Sequence, residues 1–178
     1  MREQSRRVAL SSMMVALGAM VMLLGGVIPA ATFLSPALAG VLLLPVFYEF
    51  GAKWALGAYV AIALLALMLS PDKEAALLFA FLGYYPVLKA RLDRVRLIPV
   101  RTLLKLLVFN LAAGAMLAVA YYVFGMSAIL AEYAEMTKIG LIVFIVVANF
   151  TMLVYDVMLA VMMGLYRQRL RPKLFHQH

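Results

Sequence analysis

Apolar residues fall in six long stretches along this chain, separated by short polar or charged runs. A helix that crosses about 30 Å of hydrocarbon needs roughly 20 residues. The stretches predict spans over 8–28, 33–47, 52–69, 75–88, 103–124 and 139–166. The second and fourth are short, and Pro36 and Pro45 predict that the second is broken or tilted. The sixth is longer than a bilayer requires, so it is expected to tilt or protrude. The pattern is that of an all-α integral membrane protein with a single domain over 1–178 and a basic tail over 167–178. The first stretch exceeds a signal-peptide core and lacks a small-x-small cleavage site, so it is expected to be retained.

Composition agrees with the pattern and removes several functions. With 67% hydrophobic residues, 13% charged residues and a mean hydropathy of +1.02, the chain does not fit a soluble domain. There is no cysteine, hence no disulfide and no thiolate site. The two histidines, His176 and His178, end the chain, so no imidazole lies within the predicted spans. No nucleotide-binding loop, serine elbow or zinc-helix motif occurs, and an enzyme is not expected.

Charge then sets the topology. Arg2, Arg6 and Arg7 precede the first span, and Lys53 lies between the second and third. Lys89, Arg91, Arg94, Arg96, Arg101 and Lys105 surround the link between the fourth and fifth, while Arg167, Arg169, Arg171 and Lys173 follow the sixth. Those are 14 of the 16 basic residues, leaving Lys73 and Lys138 opposite. The excess predicts a multi-pass protein with both termini cytoplasmic. The cations are read as orienting charges that touch anionic lipid. Nucleic-acid binding is not expected, because "RQRLRPKLFHQH" interleaves only Phe175.

Polar groups inside lipid need a partner or a task. Asp156 lies deep in the sixth span, and Asn149 sits two turns earlier on the same face. Asn110 lies in the fifth span, five residues beyond Lys105. Interhelical hydrogen bonding is expected for the asparagines. For Asp156, an ion pair with Lys105 or Lys89 and a functional role both remain open. The stretches "SPDKEA" and "AEYAEMTK" offer Asp72, Lys73, Glu74, Glu132, Glu135 and Lys138 at the outer interface. Trp54, Tyr48, Tyr121 and Tyr122 suit interfacial belts, and Tyr84 and Tyr85 suit anchoring or packing.

A last feature lies in "ALSSMMVALGA", where Ser12, Ala16 and Ala19 form a stripe of small residues at i, i+4 and i+7. Such stripes let helix backbones approach closely in membranes. Following a short basic start, the stripe resembles the first helix of the substrate-binding S component of energy-coupling factor (ECF) transporters. Ser12 stands at the first position of that family's Ala-xxx-Ala motif and Ala16 at the second. "LSPDKEAALLFAFLGYYPVLKARLDR" and "KLLVFN" are similar to a small group of bacterial S-component-like proteins, and the likeness runs over about 7–166.

The resemblance implies a six-helix S-component-like bundle in a bacterial cell membrane. Ser12, Ala16 and Ala19 would dock on a transmembrane coupling protein associated with two cytosolic ATPases. ATP would be used by those partners, with no cofactor in this chain. The substrate would be a vitamin or similar small micronutrient held near the outer side, with Asp72, Lys73, Asn110, Glu132, Asn149 and Asp156 as candidate contacts. Release would follow toppling of the whole subunit. A membrane scaffold and an independent proton-coupled carrier built around Asp156 are the alternatives.

Overall fold

The computed structural model describes residues 2–28, 31–125 and 136–170. Among them every regular element is a helix, and the element order follows the apolar pattern. Helix α1 spans Arg2–Gly25, starting before the apolar run because Glu3, Arg6 and Arg7 are tolerated in a helix and Glu3 suits its positive N-terminal end. It stops earlier than expected, at the Gly25–Gly26 pair. A Cβ on Gly25 would come within 2.2 Å of the Ser35 side chain, so the glycine permits a close approach.

The second stretch is two helices, α2 (Leu34–Val41) and α3 (Leu43–Phe50). Proline accounts for the break. Pro45 has no N–H to offer the carbonyl of Val41, four residues earlier, and α2 ends there. Pro36 lies in the first turn of α2, where no internal donor is required. Gly51, at φ 84°, then reverses the chain directly into α4 (Ala52–Leu69). The fourth stretch repeats the device. Helix α5 (Lys73–Leu82) ends four residues before Pro86, which lies in the first turn of α6 (Tyr85–Leu92). The Tyr59 hydroxyl donates to the Ala80 carbonyl beside this break.

The two breaks lie against each other. A Cβ on Gly40 would sit 3.5 Å from the Pro86 ring and 3.9 Å from the Gly83 carbonyl, and 2.8 Å from the Tyr155 hydroxyl. Tyr155 belongs to α8 (Lys138–Leu165), which continues into a π-helical turn over Tyr166–Leu170. Between them in sequence, α7 (Ile98–Tyr122) starts before its apolar run because Pro99 is favourable in a first turn. Arg101 and Lys105 are thereby carried on the helix.

Five stretches among the described residues are long and apolar enough to cross a membrane: Glu3–Gly25, Ala52–Leu69, Lys73–Leu92, Ile98–Tyr122 and Lys138–Gln168. Leu34–Phe50 is apolar but shorter. This is an all-helical architecture compatible with a membrane bundle. Met22, Leu43, Val46, Ile62 and Phe79 form the centre of the main core, while Leu77, Met116 and Ala120 join α7 to it. Tyr85, Met152 and Leu159 join α8. Much of α8 presents Ile142, Val146, Phe150, Val154 and Val157 outward, the surface expected of a helix bathed in lipid.

Polar contacts tie the ends together. At one end Arg6 lies 3.7 Å from Glu49, and the Tyr166 hydroxyl lies 3.5 Å from the same carboxylate. At the other, the Thr32 hydroxyl donates to Asp72 at 2.7 Å.

Gly83 gives a direct test of the break. A Cβ there would lie 2.6 Å from the Phe79 carbonyl and 2.7 Å from its ring. Gly83→Ala is expected to destabilise the protein by about 1–3 kcal/mol. Gly114→Ala, which meets nothing within 4 Å, is not. Thermal unfolding in detergent separates the two.

Candidate functional site

Three helices converge on a cluster of buried charge. On α6, Tyr85 and Lys89 are one turn apart, and Asp93 follows one turn later on the same face. On α7, Arg101 and Lys105 share a face in the same way. Helix α8 supplies Asp156. Lys89 is 2% exposed and Lys105 4%, so neither ammonium reaches water freely.

The four charges alternate. Lys89 Nζ lies 2.6 Å from Asp156 Oδ1 and 3.1 Å from Asp93 Oδ2. Lys105 Nζ lies 2.8 Å from Asp156 Oδ2 and 2.6 Å from Asp93 Oδ1. The Tyr85 hydroxyl donates to Asp156 Oδ1 at 2.6 Å, and Arg101 Nε approaches Asp93 at 4.0 Å from the rim. Two lysines and two carboxylates thus make a neutral set, which an interior of low dielectric tolerates where an isolated charge would not. Asp156 meets both expected cations rather than one of them. The sequence reading gave Tyr85 only an anchoring or packing role and passed over Asp93, although the 85, 89, 93 spacing on one helical face was available to indicate them.

Asp93 lies just beyond α6 and is partly exposed. Burial raises its carboxyl, but hydrogen bonds from Lys105 and Lys89 outweigh that and hold it below the ordinary value of 3.8. A group lowered in the folded state stabilises above its unfolded pKa and loses that contribution as pH falls through the folded value.

The remaining candidates are dispersed. Asn110 Nδ2 donates to Asn149 Oδ1 at 2.7 Å, and each amide also donates to a carbonyl of its own helix, Leu106 and Ile145 respectively. This pair joins α7 to α8, the interhelical role expected of it. Asp72 caps α5 by accepting from the Ala75 N–H at 2.9 Å. Lys73 donates to the Leu67 carbonyl at 2.9 Å, near the end of α4. Both therefore have structural work where α4 ends and α5 begins. Glu132 lies outside the described residues, as do Glu135, His176 and His178. No group of three or more metal-ligating side chains occurs among the described residues.

The small-residue stripe divides. Ser12 and Ala16 are exposed, whereas Ala19 is 9% exposed and packed within the body. The C-terminal half of α1 is more closely covered, with Gly18 facing Ile62 and Gly25 facing Ser35. Ser12 and Ala16 border an open groove of about 530 Å³ between α1 and α4. Gly57 and Ala61 line it from α4, and Lys53 and Trp54 also border it.

An all-helical chain suited to a bilayer, braced by a neutral charge cluster and bearing an open small-residue groove, is the class that this geometry defines. The chain matches no protein-family model, no curated protein and no solved structure.

Removing one charge should expose the energetics of the cluster. Asp156→Leu leaves two buried ammoniums facing one carboxylate, and is expected to cost about 3–5 kcal/mol. Asp156→Asn keeps an acceptor and should cost less. Acid should act through Asp93: unfolding temperature in neutral-lipid nanodiscs is expected to hold steady above the carboxylate range and fall below about pH 4. Asp93→Asn should start lower and show a smaller acid-side fall.

Proposed function

We propose that this chain is a multi-pass protein of the bacterial cell membrane that serves as the substrate-binding S component of an ECF-type importer. The observation that carries the reading is the α1–α4 groove: Ser12 and Ala16 remain on the outer surface of the folded chain, beside Gly57 and Ala61. A helix facing only lipid has no need of such a row, whereas a partner helix can approach its backbone closely there. The partner in this reading is a transmembrane coupling protein. Two cytosolic ATPases supply the energy, and the cargo is a small micronutrient.

Orientation follows from charge. The end that gathers Arg6, Lys89 and Lys105 is cytoplasmic by the excess of basic residues, which puts the Thr32–Asp72 contact outside. Asp156 then acts as a brace, because two ammoniums and a tyrosine hydroxyl already occupy its carboxylate. That supports the S-component reading over a carrier that loads a proton on Asp156. The engagement of Asp72 and Lys73 in caps favours a second reading, a membrane scaffold that uses the same groove to recruit a partner without moving a solute.

Ala16→Leu tests the proposal. Its side chain would point into an open groove, so folding stability should change by no more than about 0.5 kcal/mol. Recovery of a complex with the coupling protein, and micronutrient uptake, should both be lost. Uptake that persists in this variant contradicts docking through the groove. Assembly lost with no uptake by the parent chain favours the scaffold. A cysteine placed at Arg94 that labels from outside sealed cells would reverse the orientation.

A further inference from the structure

Helices α7 and α8 leave polar chemistry uncovered at a depth where lipid cannot satisfy it. We infer that the cleft between them, floored by Asn110 and Asn149, takes an uncharged, largely apolar molecule that enters from the surrounding lipid and donates a hydrogen bond to the amide pair. This rests on the substrate-binding role proposed above and names the chemical class of its cargo.

The cleft is defined by what the two helices leave bare. Asn110 lies 12 residues before Tyr122 on α7, and Asn149 lies 11 residues after Lys138 on α8. Each amide is thus about 17 Å from that end of its helix, close to the middle of a hydrocarbon layer about 30 Å thick. Asn110 is exposed and Asn149 half-buried. Gly114 and Tyr121 continue the Asn110 face and are exposed, and a Cβ on Gly114 would meet nothing within 4 Å. On α8 every residue from Leu141 to Val147 is exposed, which is all sides of the helix over two turns. Ile145 and Ile142 continue the Asn149 face there, at 47% and 62% exposure.

The hydrogen bonds fix what the pair can accept. Each Nδ2 donates to a carbonyl of its own helix, Leu106 or Ile145, so a reversed amide would set oxygen against oxygen. The second N–H of each goes to the other amide, at 2.7 Å from Asn110 and 3.4 Å from Asn149. All four N–H groups are committed, while each Oδ1 accepts one bond and keeps a lone pair. The pair can receive a donor and cannot supply one.

That asymmetry selects the occupant. A phospholipid brings only its chain ends to this depth, without a donor. A second copy brings an identical pair whose N–H groups are spent, and its Thr151 hydroxyl is held by the Val147 carbonyl. A charged solute meets no counter-ion, because neither 111–122 nor 139–148 contains Asp, Glu, Lys or Arg. A neutral molecule with one O–H or N–H on an apolar body fits all three conditions.

Photolabelling of the full chain in nanodiscs tests this. The probes are a long-chain alcohol carrying a diazirine and its methyl ether, which has the same body and no donor. Mass spectrometry of the labelled peptides should place the alcohol on 111–122 and 138–148, at about ten times the yield of the ether. Gly114→Leu should block both probes there without lowering the unfolding temperature, since its side chain enters open space. Asn110→Leu combined with Asn149→Leu should erase the difference between the probes. Should that double variant fail to fold, the parent chain and Gly114→Leu still decide. Equal labelling by alcohol and ether, labelling concentrated elsewhere, or Gly114→Leu labelled like the parent overturns the inference. So does an Ile145→Cys variant that crosslinks two copies through this face. None of these outcomes touches docking, which is read separately from complex recovery with Ala16→Leu on α1.

Discussion

Charge can sit inside an apolar helical body only as a neutral, hydrogen-bonded set, and this constraint organises one end of the structure. Lys89, Lys105, Asp93 and Asp156 come from the α6 region, α7 and α8, and each cation touches both carboxylates. No one of them can be buried without the others. Their contacts therefore dictate how α7 and α8 sit against α6, and the Tyr85 hydrogen bond ties that arrangement to the adjoining core. Further along the same two helices, the Asn110–Asn149 pair maintains the alignment with uncharged groups.

Proline places α6 where the cluster needs it. Two helices break four residues before a proline, at Val41 ahead of Pro45 and at Leu82 ahead of Pro86, and the breaks pack together around Gly40. Tyr155 fills the same junction from α8, one residue before Asp156. The bends and the charge cluster are thus neighbours in one assembly of α2, α5, α6 and α8. The groove between α1 and α4 involves neither α6 nor α7, which carry Lys89 and Lys105, so its surface is separate from the braced cluster.

Much of this was legible in the sequence, for definite reasons. Apolar runs marked the helices because a bilayer demands length and uniformity. The third stretch, 52–69, agrees with α4 at both ends, since Gly51 and Pro71 bound it sharply. Pro36 and Pro45 announced a disturbance in the second stretch, and Pro45 is the residue that causes it. The break at Gly83 was not read, although Pro86 carried the same signal. Polar residues in apolar runs pointed to Asp156, Asn110 and Asn149, and the cations predicted for Asp156 are present. Tyr85 was read only as an anchoring or packing residue, and Asp93, a carboxylate among cations outside the apolar runs, was not singled out. Which face of α1 turns outward was not legible, because Ser12, Ala16 and Ala19 lie close together on the helix surface. Only packing against α2 and α4 separates the exposed pair from the buried Ala19.

The cluster's cooperativity is the claim on which the arrangement of α6, α7 and α8 rests. A double-mutant cycle on Asp156→Asn and Lys105→Gln, read by reversible unfolding in detergent, measures it most directly. Removing one opposite charge with each substitution should make the double variant less destabilised than the sum of the singles, by about 1–3 kcal/mol. Strict additivity, with no coupling between the two positions, would contradict the account.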